Sequence, residues 1–304
     1  MGLSGKTAEL SVRQSELLMA AVVLARSTSF VFSKLAVASL GPFNILAVRF
    51  ITAFLILLLL FRRRLSRANR RVVRNGVLLG LVYTAVMACE MLGLRSSESS
   101  LASLIENSAF VLVPVLEIVF LRRFPRRIVV LGMLLALAGL LVLHAGPGAA
   151  LGRGSLFFFG GMAFYALAIF LTEIFAKEGE PLLVGVFQIG TMGLVSLPVS
   201  LLFERFRLPA SGAEWGMILF LALVCSVFGF TLQPVAQRAL TADRAGMFSA
   251  LNPVGAIFWG FLALGEALTP AKLAGAALIL SGLLLPMLSK DRMNNNNEYK
   301  EDQA

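Results

Sequence analysis

Histidine and cysteine are almost missing from this chain, with one His and two Cys in 304 residues. His144 stands alone, so it supports neither a zinc site nor a catalytic dyad, and there is no His-Glu-x-x-His motif. Cys89 and Cys225 lie in separate apolar stretches without Cys-x-x-Cys spacing, so neither a disulfide framework nor a metal site is expected. Charge is scarce as well. Charged residues make up 14% and apolar ones 58%, against ~25% and ~45–50% in a soluble domain. Most of the length therefore has no water-facing surface to present, and the composition is that of a polytopic membrane protein. With no nucleophile–base pair or metal ligands at depth, an intramembrane enzyme is the remote alternative, and no cofactor is expected. The Gly-rich patches Gly146-Pro147-Gly148 and Gly152-Arg153-Gly154 lack the Lys-Ser/Thr of a phosphate loop and read as a connection. An ATP-driven pump would need its nucleotide-binding domain from another subunit.

What the chain does have is long apolar runs. Ten candidate spans fall at about 17–38, 43–61, 74–94, 101–121, 128–146, 154–176, 181–203, 214–236, 246–264 and 271–289. Stretches of about 20 residues cross a bilayer as helices, whereas membrane strands are ~10 residues with alternating polarity. The first run is too long for a cleavable signal and lacks a small-residue cleavage site at its flank. The net charge of +10 sits in short clusters between spans, not in a stripe with interleaved aromatics, so nucleic acid is not the expected partner. With the N-terminus inside, 19 of the 27 Lys and Arg fall on the cytoplasmic side and 5 on the other. This split predicts a multi-pass protein of the cytoplasmic (inner) membrane with both termini inside.

The segment from Ala242 to Leu288 is two apolar stretches joined by Gly265-Glu266-Ala267-Leu268-Thr269-Pro270. Asn252-Pro253 interrupts the first stretch. Thr269 is an N-cap for the second, with Pro270 at its first helical position. A cruder copy of this hairpin occurs earlier. Shifting the chain by 143 places Gly132 on Gly275, Gly139 on Gly282, Glu90 on Gln233 and Glu106 on Ser249. A shift of 139 places Pro42 on Pro181, Arg49 on Gln188 and Arg26 on Tyr165. Five helices are thus duplicated, residues 12–145 and 153–290, followed by a polar tail, 291–304, expected to be disordered. Five is odd, so the copies are expected to insert with opposite orientation, the inverted repeat that many secondary transporters use for alternating access.

The order and spacing of several stretches resemble the drug/metabolite transporter superfamily, specifically its EamA-type members. The stretches are Thr231-Leu232-Gln233-Pro234-Val235-Ala236-Gln237-Arg238, Leu251-Asn252-Pro253, Leu264-Gly265-Glu266 and Leu273 to Gly282, with Arg49-Phe50, Gly93-Leu94-Arg95 and Val113-Pro114-Val115-Leu116 in the first copy. The resemblance covers about residues 17–289. It implies an all-α integral membrane fold of ten helices and an inner-membrane carrier of small metabolites, often an exporter. It also implies a central cavity lined by helices 1, 3, 4, 6, 8 and 9, with 5 and 10 peripheral. Three positions depart from the family pattern: Ala25-Arg26 replaces an early Trp-Gly, Glu90 replaces a Gln, and Arg123 replaces a hairpin Glu.

An ionisable group within a span costs ~2.5–3.5 kcal/mol, so each calls for a partner, water or a role. Arg26, mid-span, is either an anchor for a solute carboxylate or half of an internal ion pair. Glu106, Glu90 and Glu117 are the candidate proton sites. Glu106 and Glu117 are eleven residues apart, which on an α-helix is three turns and one shared face, ~16 Å apart along the axis. Phe110 lies between them, and Tyr83 shares a face with Glu90. With Phe30, Tyr165 and Trp259 these aromatics form a candidate wall for the apolar part of a solute, and Gln233 keeps the amide opposite Glu90. Arg49 reads as a structural partner and Lys34 as a snorkelling end residue. Glu266 reads as a helix cap, Glu173 as a cavity acid or the i+4 partner of Lys177, and Asn252-Pro253 as a local backbone break.

The expected function is secondary active or facilitative transport of small amphipathic metabolites, such as amino acids, amines, zwitterions or cations. The runner-up is proton-coupled export of cationic drugs or quaternary amines. The expected partners are the solute, protons as a candidate coupling ion, and the bilayer, with the chain acting as a monomer or weak homodimer.

Overall fold

The computed structural model describes residues 10–96, 102, 105–144, 153–264 and 268–301, with side chains up to residue 286. Glu266 and the Gly-rich connection at 145–152 lie outside the described residues, as does the side chain of His144. Every regular element among the described residues is helical. The elements are α1 (Val12–Val37), α2 (Pro42–Leu65), α3 (Arg70–Leu94), α4 (Val113–Leu116), α5 (Arg127–His144), α6 (Arg153–Glu178), α7 (Pro181–Phe203), α8 (Gly212–Gln237), α9 (Ala242–Ser249), α10 (Leu251–Leu264) and α11 (Pro270–Glu301). Six of them are long and apolar enough to cross a membrane, namely α1, α2, α3, α6, α7 and α8. α5 and α11 carry shorter apolar stretches, Arg127–Val142 and Leu273–Pro286.

The fourth and ninth expected spans are not continuous α-helices, and proline explains both. In the fourth, a 3-10 turn at Ser108–Val111 precedes α4 and a π turn at Glu117–Leu121 follows it. Pro114 has no N–H for the carbonyl of Phe110, so the α pattern fails there. In the ninth, Pro253 withholds the same bond from Ser249, and the chain breaks between α9 and α10 at Ala250. Pro234 does this a third time. Four residues before it, Phe230 is the last residue of a π segment, Leu221–Phe230, inside α8, where the Ser226 hydroxyl donates to the Leu221 carbonyl at 3.2 Å. α11 continues as helix to Glu301, through the tail for which the sequence predicted disorder. Asn294–Asn297 are poor helix formers, so helix there is propagated from the apolar turns before it.

Glycines set the directions of the packed helices. A Cβ on Gly190 would meet Phe54, and one on Gly193 would meet Ile51, so α2 and α7 run antiparallel. Gly132 faces the Gly282 carbonyl while Gly139 faces the Gly275 carbonyl, so α5 and α11 also cross antiparallel. Under the sequence offsets these are the repeat-mates, second with seventh and fifth with tenth. Copies of one motif whose mates run in opposite directions are inverted relative to each other. The remaining contacts are reciprocal in the same way: α1 packs on α8 and α10, while α6 packs on α3 and on the 3-10 turn and α4.

Carboxylates tie the two halves together at both ends. At one end Glu204, just after α7, accepts from the backbone N–H groups of Phe43 and Asn44 (3.2 and 2.8 Å), closing the N-terminus of α2. At the other, Glu173 of α6 pairs with Lys177 and with Arg123 (3.1 Å), and its second oxygen accepts from Ala242 N–H at 2.7 Å, capping α9. Glu173 is therefore a buried clamp rather than a cavity acid. Arg244 pairs with Glu16 of α1 at 2.7 Å beside it. Lys34, expected to snorkel, instead donates to the Leu94 carbonyl at 2.6 Å, because the C-terminal end of α3 lies within reach of its stem.

Candidate functional site

Between the two halves lies a cavity of about 20 Å³. Its lining comes from six of the expected spans: Arg26, Ser29 and Phe30 of α1, Met87 and Glu90 of α3, Glu106 and Asn107 of the fourth, Tyr165 of α6, Phe230 of α8 and Asn252 of α10. All three ionisable residues are buried, with Arg26 8%, Glu90 2% and Glu106 3% exposed. The space is about one water in size, since a water needs roughly 10–15 Å³ measured this way.

Arg26 is held from two sides. Its Nη1 donates to Gln233 Oε1 at 2.5 Å, and Gln233 Nε2 donates on to the Tyr83 hydroxyl at 2.7 Å. The guanidinium carbon lies 4.0 Å from the centre of the Phe230 ring, 5.5 Å from Tyr165 and 5.8 Å from Tyr83, within the ~6 Å range of cation–π attraction. Gly229 gives its stem room, because a Cβ there would stand 2.6 Å from Arg26 Cγ. None of the ion pairs among the described residues involves Arg26, Glu90 or Glu106. The internal ion pair that the sequence left open for Arg26 is not formed; an amide and three rings hold the cation instead.

The acids are less well satisfied. Glu90 Oε1, Glu106 Oε2 and Asn252 Oδ1 are buried without a hydrogen-bond partner. Asn252 Nδ2 donates to Asn107 Oδ1 at 2.6 Å, joining the broken fourth span to the broken ninth. Glu106 lies over Gly161 of α6, where a Cβ would come within 3.6 Å of Oε2. One layer back, Arg49 is fully buried and donates to Ser226 (2.9 Å) and to Ser29 (3.1 Å), which lines the cavity.

Four expectations for site residues need correction. Glu106 and Glu117 do not share an α-helical face, because the chain between them passes through a 3-10 turn and the single turn α4, and Glu117 itself opens a π turn. Glu117 lines a separate pocket of about 470 Å³ with Arg123, Asp243 and Arg244. Phe110 is buried against Gly246 of α9, outside the cavity lining, since the 3-10 turn rotates it away. Trp259 edges Phe258 at 5.2 Å; seven residues beyond Asn252, it is about 10 Å further along the axis. Asn252, read as part of a backbone break in preference to a direct ligand, lines the cavity. The sequence reading also missed Asn107, Ser29, Met87 and Phe230. Asn107 had a signal, a polar residue beside Glu106 in an apolar run. Phe230 had none, being one of 24 phenylalanines.

Among the described residues the chain is a helical bundle whose repeat-mates run antiparallel beside a buried, charged and aromatic chamber, and the family that it matches makes it a membrane transport protein rather than an enzyme. The chain belongs to the EamA-like transporter family, which matches residues 13–144 and again 152–288. It is similar to an uncharacterized transporter of Archaeoglobus fulgidus, 23% identical over 90% of this chain and 96% of that protein. It is also similar to the pseudopaline exporter CntI of Pseudomonas aeruginosa, 24% identical over 87% and 95% of the two chains. A solved crystal structure superposes with a TM-score of 0.76 at 19% identity, covering 93% of this chain and 99% of the other, which speaks to the fold.

Proposed function

We propose that the protein is a secondary or facilitative carrier of small amphipathic solutes bearing an amine, by alternating access at the Arg26–Glu90–Glu106 chamber. One observation carries this reading. A buried guanidinium without a carboxylate partner shares a cavity with two carboxylates that each leave an oxygen unsatisfied. Groups buried at such cost are accounted for when a solute completes them. Inverted copies offer two related packings of the same helices, which is the usual basis for exposing one site to either side. Export from the cytoplasm across the inner membrane is the direction we assign, supported by the relative named as an exporter. Glu106 is the proposed proton site, because it reaches the cavity from a span already broken beside it.

Counterflow of labelled L-phenylalanine in proteoliposomes tests the reading. Glu106→Gln is expected to abolish flux or to remove its pH dependence, and unchanged pH-dependent flux takes Glu106 out of the mechanism. Competition by L-phenylalaninamide is expected to be weak if Arg26 meets the carboxylate. Full competition by the amide favours a carrier of cations, with Arg26 structural.

A further inference from the structure

The pocket beside Glu117 is separate from the chamber and has a charge pattern of its own. Its walls come from the stretch between the fourth span and α5, from the start of α9, and from Pro286 of α11. At about 470 Å³ it falls within the ~300–1,000 Å³ of small-ligand sites. Arg123, Arg126 and Arg244 line it together with two carboxylates, Glu117 and Asp243. The acids are 3% and 8% exposed, whereas the Arg123 side chain is 56% exposed and Arg126 is exposed too. The acids are thus on the buried side, where the Asp243 carboxylate already accepts from the Thr241 hydroxyl and from Arg244 N–H at 2.8 Å. Arg126 is in none of the ion pairs among the described residues. The open side therefore carries an excess of guanidinium, whose planar fork matches a phosphate.

What flanks that side is apolar. Phe124 stands in the middle of Arg122-Arg123-Phe124-Pro125-Arg126-Arg127 and is 79% exposed, and Phe120 on the preceding turn is 66% exposed. In a chain that spans a bilayer, exposed rings beside arginines lie where headgroups meet acyl chains. A topology determinant needs charge alone, neither a pocket nor an exposed ring. We propose that this pocket seats the phosphodiester of an acidic phospholipid, with Arg123 and Arg126 on the phosphate and Phe120 and Phe124 against its acyl chains. An acidic head fits better than a choline one, whose cation would stand among Arg122, Arg126 and Arg127. The site is also tied to the clamp at this end. Arg123 pairs with Glu173 at 3.1 Å and Arg244 with Glu16 at 2.7 Å. A phosphate in the pocket competes for both guanidiniums and so loosens the contacts that join the two halves here.

Melting of the full chain in detergent tests the site, with dihexanoyl-phosphatidylglycerol, dihexanoyl-phosphatidylcholine or glycerol 3-phosphate added. Phosphatidylglycerol is expected to raise the melting temperature and phosphatidylcholine to leave it unchanged. Arg126→Ala is expected to weaken phosphatidylglycerol about tenfold, the scale of a hydrogen bond to a charged group, and Phe124→Ser to weaken it as well. Both side chains are exposed, so neither change puts the fold at stake. Arg70→Ala removes an exposed arginine from the start of α3 and is expected to change nothing. Equal losses from Arg70→Ala and Arg126→Ala mean diffuse attraction to a basic face, and overturn the pocket. Equal stabilisation by the two lipids overturns the acidic head. If glycerol 3-phosphate matches phosphatidylglycerol, the occupant is a soluble phosphate and the lipid is overturned. The clamp link alone rests on the carrier reading. Phosphatidylglycerol in proteoliposomes is expected to speed L-phenylalanine counterflow severalfold, in the parent but not in Arg126→Ala, and an unchanged rate overturns that link. No counterflow in any lipid is a failure of the carrier reading, and the melting series still decides the site.

Discussion

Gly229→Ala and Gly216→Ala place the same methyl on the same helix, α8, and are expected to act with opposite sign. Around Gly216 nothing lies within 4 Å of the added carbon. That substitution collects the usual helix gain over glycine, about 0.5–1 kcal/mol. At Gly229 the new carbon would stand 2.6 Å from Arg26 Cγ and 3.2 Å from Cδ. Ordinary contact begins near 3.4 Å, so the stem must retreat by close to 1 Å. Cγ is near the root of the side chain, and moving it carries the guanidinium along. The bond to Gln233 at 2.5 Å and the Phe230 contact at 4.0 Å are then lost or lengthened. Overpacking alone costs about 1–3 kcal/mol, and a hydrogen bond to a charged group is worth about 1.5–3 kcal/mol. The net expectation is a loss of about 2–4 kcal/mol, read as a lower melting temperature in nanodiscs, with L-phenylalanine counterflow falling alongside it. If Gly229→Ala melts at or above Gly216→Ala, Arg26 is not held where described, and the account of the chamber fails with it.

At the α5–α11 crossing, Gly282→Ala puts a carbon 2.4 Å from the Gly132 carbonyl oxygen and 2.8 Å from Ala136 N. Neither backbone atom can swing aside, so a loss of about 1–3 kcal/mol is expected by thermal melting, and an unchanged melt would argue against the close crossing. Glu173→Ala removes a carboxylate 2% exposed that caps α9 and pairs with Arg123. A loss of about 1–2 kcal/mol is expected from the cap alone, whereas Glu180→Ala, in a 3.4 Å pair with Arg64 that is exposed on both sides, should shift the melt hardly at all. Equal effects of the two would mean that the clamp at Glu173 does not hold the halves together.

Much of this protein is legible in one dimension. A helix that crosses hydrocarbon must satisfy its own backbone, so apolar length alone announces spans, and the offsets of Pro42 with Pro181 and Gly132 with Gly275 announce the duplication. Buried charge is costly enough that Arg26, Glu90 and Glu106 stand out as residues needing a reason. What the tertiary structure alone decided is which of them meet and in what state. Glu117 and Trp259 obey the same helical arithmetic as the residues that reach the chamber. Yet the turns forced by Pro114, and the axial distance along α10, carry them elsewhere. Arg26 takes its partners from α3, α6 and α8, more than 50 residues away along the chain. The pairing of Asn107 with Asn252 joins two helix breaks, one in each half. Periodicity reports which side of a helix a residue occupies. Where the helix stops being regular, only the packed neighbours fix what that side faces.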